Sequence, residues 1–271
     1  MTDSTVSSAK SPRVTAVRAL HSRRGRNKAG SFLVEGPQAV EAALHSGALV
    51  TEVFVLEADV SWSRAAQSVG ARVTRVAPEV MEAMAQTEQP QGVLAVCPLL
   101  VPASLASLMN RSGPILVLES LADPGNVGTA IRTADAVGAA GVIVTLDSAD
   151  IHNGKVVRAT AGSLFHLPIA TGASVEDIAT AAHAASRSLA VATGDGDVDL
   201  FAAVDSGSVG DSTVWLVGSE AHGVSEQART CADLTVSIPM TGSAESLNAA
   251  VAAAIVLYVA RHGERTSPQS K

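Results

Sequence analysis

A chain of 271 residues and 27.4 kDa, 47% hydrophobic and with positive mean hydropathy, is long enough to bury one large core or two compact ones. Its longest apolar stretch, residues 249–260, is shorter than the roughly 18 residues of a membrane span, and the N-terminus lacks the apolar region of a signal peptide, so the chain reads as cytoplasmic with no membrane partner. Cys97 and Cys231 stand far apart without metal-ligand neighbours, which excludes a disulfide framework and a zinc site, and no metal is expected.

The net charge of −7 argues against a nucleic-acid partner until its distribution is considered. In the first thirty residues Lys10, Arg13, Arg18, Arg23, Arg24, Arg26 and Lys28 face only Asp3. Residues 1–28 are therefore expected to be a flexible basic arm; charge alone fits a solvated tail as well as an RNA-binding arm, in which Arg23, Arg24, Arg26 and Lys28 would be the contacts. The 3% aromatic content limits base stacking and favours contacts to RNA shape, phosphate and 2′-hydroxyl.

Residues 32–35 read as a strand, after which Gly36-Pro37 opens a helix with Val40, Ala43 and Leu44 on one face. Short β-branched runs at 50–56, 71–76 and 92–97 alternate with helical segments at 61–68 and 78–85, giving a small α/β domain over 29–100. Residues 101–113 have the composition of a linker. From residue 114 to 265, near-continuous apolar runs at 115–118, 141–146, 189–193, 214–217 and 234–238 predict a parallel sheet covered on both faces. The Gly- and Asp-rich segment 195–211 reads as a loop at the sheet edge, and 266–271 as a tail.

Three strand-to-loop segments carry candidate chemistry. In the first, Asp123 caps and Pro124 opens a helix whose buried stripe leaves Asn126 and Arg132 free to project into the crevice beyond the strand's carboxyl end. In the second, Gly218 and Gly223 flank Glu220 and His222; glycine allows close ligand approach, and His222 reads as a turn residue because no nucleophile or carboxylate is placed beside it. In the third, Ser246 and Asn248 precede a long apolar helix expected to bury Leu247, Val251, Ala254, Ile255 and Tyr258. Capping suits Ser246 better than Asn248.

The motifs Asn126-Val127-Gly128-x-x-x-Arg132, Val217-Gly218-Ser219-Glu220-x-x-Gly223 and Ile238-Pro239-Met240-x-Gly242-x-x-Glu245-Ser246-Leu247-Asn248 resemble, in this order, those of the SpoU/TrmH branch of the SPOUT RNA 2′-O-ribose methyltransferases. Upstream, Phe32-Leu33-Val34-Glu35-Gly36-Pro37 resembles an L30e-like substrate-binding domain. The resemblance implies an N-terminal L30e-like α/β domain followed by a trefoil-knotted parallel-sheet methyltransferase domain, and a homodimer through that C-terminal domain. It also implies S-adenosylmethionine as methyl donor, held by Gly218, Ile238, Met240 and Leu247, with Asn126, Arg132, Glu220, Ser246 and Asn248 as the catalytic set. Arg158, in a segment similar to the one preceding the family's third strand, is implied to touch substrate. Thr160 stands where the family often has serine, and Ala250 where a serine is common.

The implied substrate is 23S ribosomal RNA. A transfer RNA substrate and a non-catalytic RNA-binding or ribosome-assembly role are the alternatives, and intact Arg132, Glu220 and Asn248 weigh against the latter. A dinucleotide-dependent enzyme would need a Gly-x-Gly-x-x-Gly turn after its first strand, which no glycine turn here provides.

Overall fold

The computed structural model describes residues 4–47, 49–56, 61–219 and 222–262. The chain forms two compact units, one of residues 1–101 with 150–166, the other of residues 102–149 with 167–271. No helix among the described residues is long and apolar enough to cross a membrane.

The first unit contains, in chain order, β1 (Ser4–Val6), α1 (Pro12–Ala19), α2 (Arg23–Ala29), β2 (Ser31–Glu35), α3 (Pro37–His45), β3 (Glu52–Leu56), α4 (Ser61–Ser68), β4 (Arg72–Val76), α5 (Pro78–Met84) and β5 (Val93–Pro98). Its five strands lie in the order β1-β4-β3-β5-β2, with β5 antiparallel to both its neighbours. Val14, Val17 and Leu20 are buried against Leu33, Phe54, Met81 and Leu94. Burial of Cys97 pushes its thiol up to about 12.

Residues 12–29 differ from the flexible arm expected of them. Ser11 accepts the Val14 N–H and Pro12 opens α1; Ser22 accepts the Gly25 N–H to cap α2, which ends at Gly30 in the left-handed region (φ 61°). Charge counting missed this because the three apolar residues that anchor the segment are sparse among six basic ones. Arg26 is 3% exposed. Its guanidinium donates to Asp150 Oδ2 at 2.7 Å and to the Leu20 and His21 carbonyls.

The second unit opens with α6 (Leu105–Met109), β6 (Ile115–Leu118), α7 (Pro124–Ala136) and β7 (Gly141–Val144). Residues 150–166, with α8 (Gly154–Thr160), belong to the first unit, which differs from a continuous 114–265 domain. There the His152 ring packs on Phe32 at 4.7 Å, and Arg158 pairs with Glu35 at 3.0 Å.

After that segment come β8 (Ile169–Thr171), α9 (Val175–Ala184), β9 (Leu189–Ala192), β10 (Val198–Asp199), α10 (Leu200–Asp205), β11 (Val214–Val217), α11 (Glu226–Cys231), β12 (Leu234–Ser237) and α12 (Ala249–His262). All seven strands are parallel, in the order β10-β12-β9-β11-β6-β7-β8. The central strands β6, β7 and β11 are buried at every residue, as expected when helices cover both faces. Segment 195–211 does run at the sheet edge, but it holds β10 and α10 rather than a plain loop.

Helix α12 departs from the expected face. Ala250, Ala253, Val256, Leu257 and Ala260 are buried, whereas Val251 is 48% and Tyr258 59% exposed. Both faces are apolar, so periodicity had no polar side by which to choose between them.

Candidate active site

The carboxyl ends of β6, β9, β11 and β12 bring the three motifs together in the second unit. At the first, Asp123 accepts the Asn126 N–H at 3.0 Å and Pro124 occupies the first turn of α7. This cap sets Asn126 at the helix mouth, half-buried, with Arg132 exposed about two turns further on.

At the second, the chain doubles back so tightly that a Cβ on Gly218 would lie 2.1 Å from the Gly223 carbonyl oxygen. Only glycine fits this close approach, and Gly223 itself has φ 65°. Ser219 and Gly223 form an antiparallel bridge, and the Gly223 N–H donates to the Ser219 carbonyl at 2.8 Å. His222 is exposed, and its backbone N–H donates to Ser219 Oγ. Glu220 lies outside the described residues.

At the third, Asn248 caps α12 after all: its Oδ1 accepts the Ala250 N–H at 3.0 Å and the Val251 N–H at 3.3 Å. The helix starts at Ala249, later than its apolar pattern suggested, which puts Asn248 rather than Ser246 at the cap position. The other end of the same side chain reaches the first motif, Asn248 Nδ2 donating to Asn126 Oδ1 at 3.0 Å.

Two cavities flank residues 246–250. One, of ≈ 170 Å³, is walled by Gly218, Ile238, Met240, Ser246 and Leu247, so four predicted cofactor residues and one predicted catalytic residue share it. Val217, Ala249 and Ala252 add apolar lining, and Thr193, Ser219 and Glu245 add polar groups. A mostly apolar lining with a few polar groups, reached by backbone that glycine keeps close, is the composition expected of a small-molecule site. The other, a broad trough of ≈ 800 Å³ between α7 and α12, is lined by Asn126 and Arg132 from α7 and by Asn248, Val251, Ile255 and Tyr258 from the α12 side. The predicted catalytic set is thus divided, with Asn126, Arg132 and Asn248 on one side of the third loop and Ser246 on the other.

Sequence reasoning missed Thr193 and Gly194, which wall the smaller cavity beyond β9. The signal was available, since a glycine directly after a buried parallel strand marks a carboxyl-end turn of the kind that holds ligands. The turn is tied down by Arg229, whose Nη2 donates to Thr193 Oγ1 at 2.9 Å and to Asp195 Oδ1 at 2.8 Å. Arg229, with a further hydrogen bond from Thr193, holds the Asp195 carboxyl down at about 2.

In the first unit, Arg23, Arg24 and Lys28 are exposed on α2, whereas Arg26 is buried in its ion pair and is no surface cation. Arg158 donates to Glu35 Oε2 at 3.0 Å and to Gln86 Oε1 at 3.3 Å, beside a ≈ 310 Å³ polar cavity that includes Gln38, Gln89 and Gln91. Thr160 is fully buried, its hydroxyl donating to the Val157 carbonyl.

Comparison with known proteins gives a consistent picture. Residues 113–258 match the SpoU rRNA Methylase family, and residues 11–95 match the MRM3-like substrate binding domain. The chain is 38% identical over 252 residues to the 23S rRNA (uridine(2479)-2′-O)-methyltransferase of Streptomyces viridochromogenes, covering 89% of this chain and 86% of that one. It is 33% identical over 255 residues to the 23S rRNA (guanosine(2553)-2′-O)-methyltransferase RlmP of Bacillus subtilis, covering 93% and 97%. Among solved structures it is similar to the AdoMet-bound rRNA methyltransferase from Sinorhizobium meliloti (TM-score 0.85, 29% identity, 97% and 98% covered). It is also similar to the SpoU methyltransferase AviRb of Streptomyces viridochromogenes in complex with AdoMet (TM-score 0.84, 32% identity, 95% and 100% covered).

Proposed function

Since the chain belongs to the SpoU rRNA Methylase family, we propose that it transfers a methyl group from S-adenosylmethionine to a ribose 2′-hydroxyl of RNA, with 23S ribosomal RNA in the cytoplasm as the substrate. The observation that carries this reading is the Asn248–Asn126 hydrogen bond, which joins the first and third motifs beside the cavity walled by Gly218, Ile238, Met240 and Leu247. Those four residues hold S-adenosylmethionine, which when bound supplies an electrophilic methyl group on a sulfonium. The third loop threads back through the trefoil knot typical of the family, which accounts for its forming a wall of that cavity.

The remaining chemistry is positioning and charge stabilisation. Arg132 keeps its proton in proteins, so it acts as a cation: it holds a phosphate or stabilises the alkoxide that develops on the ribose oxygen. Ser246, on the cofactor side of the loop, or a water passes the hydroxyl proton on to solvent, and Glu220 completes the set. Alignment of the hydroxyl with the methyl group supplies much of the rate. Arg23, Arg24, Lys28 and Arg158 hold RNA through the first unit.

The protein acts as a homodimer through the α7–α12 face. The support is chemical: an apolar trough with Val251 and Tyr258 exposed is also lined by Asn126, Arg132 and Asn248, so a second copy seated there would complete the reaction site.

The test is to incubate the protein and its Arg132→Ala variant with radiolabelled S-adenosylmethionine and unmodified 23S ribosomal RNA or transfer RNA, then map ribose methylation. Label in 23S RNA with the wild type alone is the expected result. Label only in transfer RNA overturns the substrate, and no label despite cofactor binding overturns the activity in favour of a non-catalytic RNA-binding role.

A further inference from the structure

Glu119 directly follows β6 and belongs to none of the three motifs, yet it is 5% exposed and bonds Ser225, just after the second motif, with both carboxylate oxygens. Oε2 accepts the Ser225 N–H at 3.0 Å and Oε1 accepts the Ser225 hydroxyl at 2.6 Å. Ser225 in turn caps α11 by accepting the Ala228 N–H at 3.0 Å.

The backbone after Glu119 is pinned as well. Ser120 sits in the left-handed region (φ 54°) with its N–H given to Thr145 Oγ1, and the Leu121 N–H goes to Ser148 Oγ. The carboxylate therefore stands on a fixed base, and a buried carboxylate is costly unless its oxygens are satisfied. Two donors reach it, both from Ser225, two residues beyond the Gly218–Gly223 turn.

We infer that Glu119 is a positioning residue for the cofactor, acting through Ser225 to hold the Gly218–Gly223 turn as the wall of the ≈ 170 Å³ cavity. The inference rests on reading that cavity as the S-adenosylmethionine site. It also links the motifs, because the residue that leads into the α7 turn carrying Asn126 and Arg132 sets the loop opposite.

The full-length protein and its Glu119→Ala, Glu119→Gln, Ser225→Ala, Ser225→Thr and Glu119→Ala/Ser225→Ala variants would be titrated with S-adenosylmethionine by calorimetry, with initial rates and melting temperatures alongside. Losing this charge-assisted pair is expected to raise Kd and KM for S-adenosylmethionine about tenfold in Glu119→Ala, the loss typical of such hydrogen bonds. The KM for RNA, and kcat at saturating cofactor, stay within about threefold on the same scale. Glu119→Gln recovers part of the affinity because its one amide oxygen still accepts, and Ser225→Thr recovers most of it. The double variant binds no worse than Glu119→Ala, since the two groups share one interaction. Unchanged cofactor affinity in Glu119→Ala, or additive losses in the double variant, would overturn the positioning role alone. If Glu119→Ala does not fold, Glu119→Gln is decisive, and wild-type affinity in it overturns the inference. A wild type that binds no S-adenosylmethionine overturns the cofactor reading and this inference with it.

Discussion

Arg26→Met is the substitution that separates a buried structural cation from an RNA contact. The guanidinium is 3% exposed, pairs with Asp150 at 2.7 Å, and donates to the Leu20 and His21 carbonyls, so the variant leaves a carboxylate and two carbonyls short of a partner. Breaking a buried ion pair by removing one member costs about 3–5 kcal/mol. Asp150 is 18% exposed and recovers some solvation, so the low end, about 3 kcal/mol, is expected, or roughly a 10 °C fall in melting temperature for a unit of this size. Each unit carries one tryptophan, Trp62 in the first and Trp215 in the second, so in a Trp215→Phe background urea unfolding followed by fluorescence reports the first unit. RNA affinity per folded molecule and its salt dependence stay unchanged in Arg26→Met, whereas Arg23→Ala and Arg24→Ala each lower the salt slope by about one without moving the melt. A melt shifted by less than about 2 °C together with weaker RNA binding would refute the reasoning.

The same pair has a pH signature. Burial alone would raise the Asp150 carboxyl, but hydrogen bonds from His152 and Arg26 more than offset it and hold the group well below the usual carboxylate range. A depressed carboxyl contributes stability that is fully present above its unfolded value of about 3.9 and is lost as pH falls toward the folded value. The stability gap between wild type and Asp150→Asn therefore narrows as pH falls below about 4, and a gap that stays unchanged from pH 4 to about pH 2 would contradict this. Gly218→Ala is expected to abolish measurable S-adenosylmethionine binding by calorimetry, since the added Cβ meets the Gly223 backbone at 2.1 Å. Arg187 is buried and donates to the backbone carbonyls of Met109, Arg111, Gly113 and Ser212, so Arg187→Ala is expected to destabilise the second unit by about 3 kcal/mol, read by Trp215 fluorescence. Val251→Asp/Tyr258→Asp is expected to sediment as a monomer where the wild type sediments as a dimer; a monomeric wild type would refute the α7–α12 interface.

Five of the seven parallel strands were legible because buried parallel strands are apolar at every residue, and runs such as Ile115–Leu118 and Val214–Val217 need no partner to be recognised, whereas the edge strands β8 and β10, three and two residues long, are too short to show such a run. The three motifs were legible for a similar reason: a cap such as Asp123 or a turn such as Gly218–Gly223 is local chemistry, written within a few residues. What only the tertiary structure decided involves partners distant in sequence or a choice between equivalent faces. Arg26 reads as one more basic residue until Asp150, 124 positions away, takes it into the interior. Glu119 is unremarkable in the chain until Ser225, 106 positions on, supplies its two donors. Helix α12 is apolar all round, and packing against α7 and β11, not periodicity, determined that Val251 and Tyr258 stay outside. Sequence order carries local propensity and burial pattern, whereas these contacts form only once the closed fold has brought distant segments within hydrogen-bonding reach.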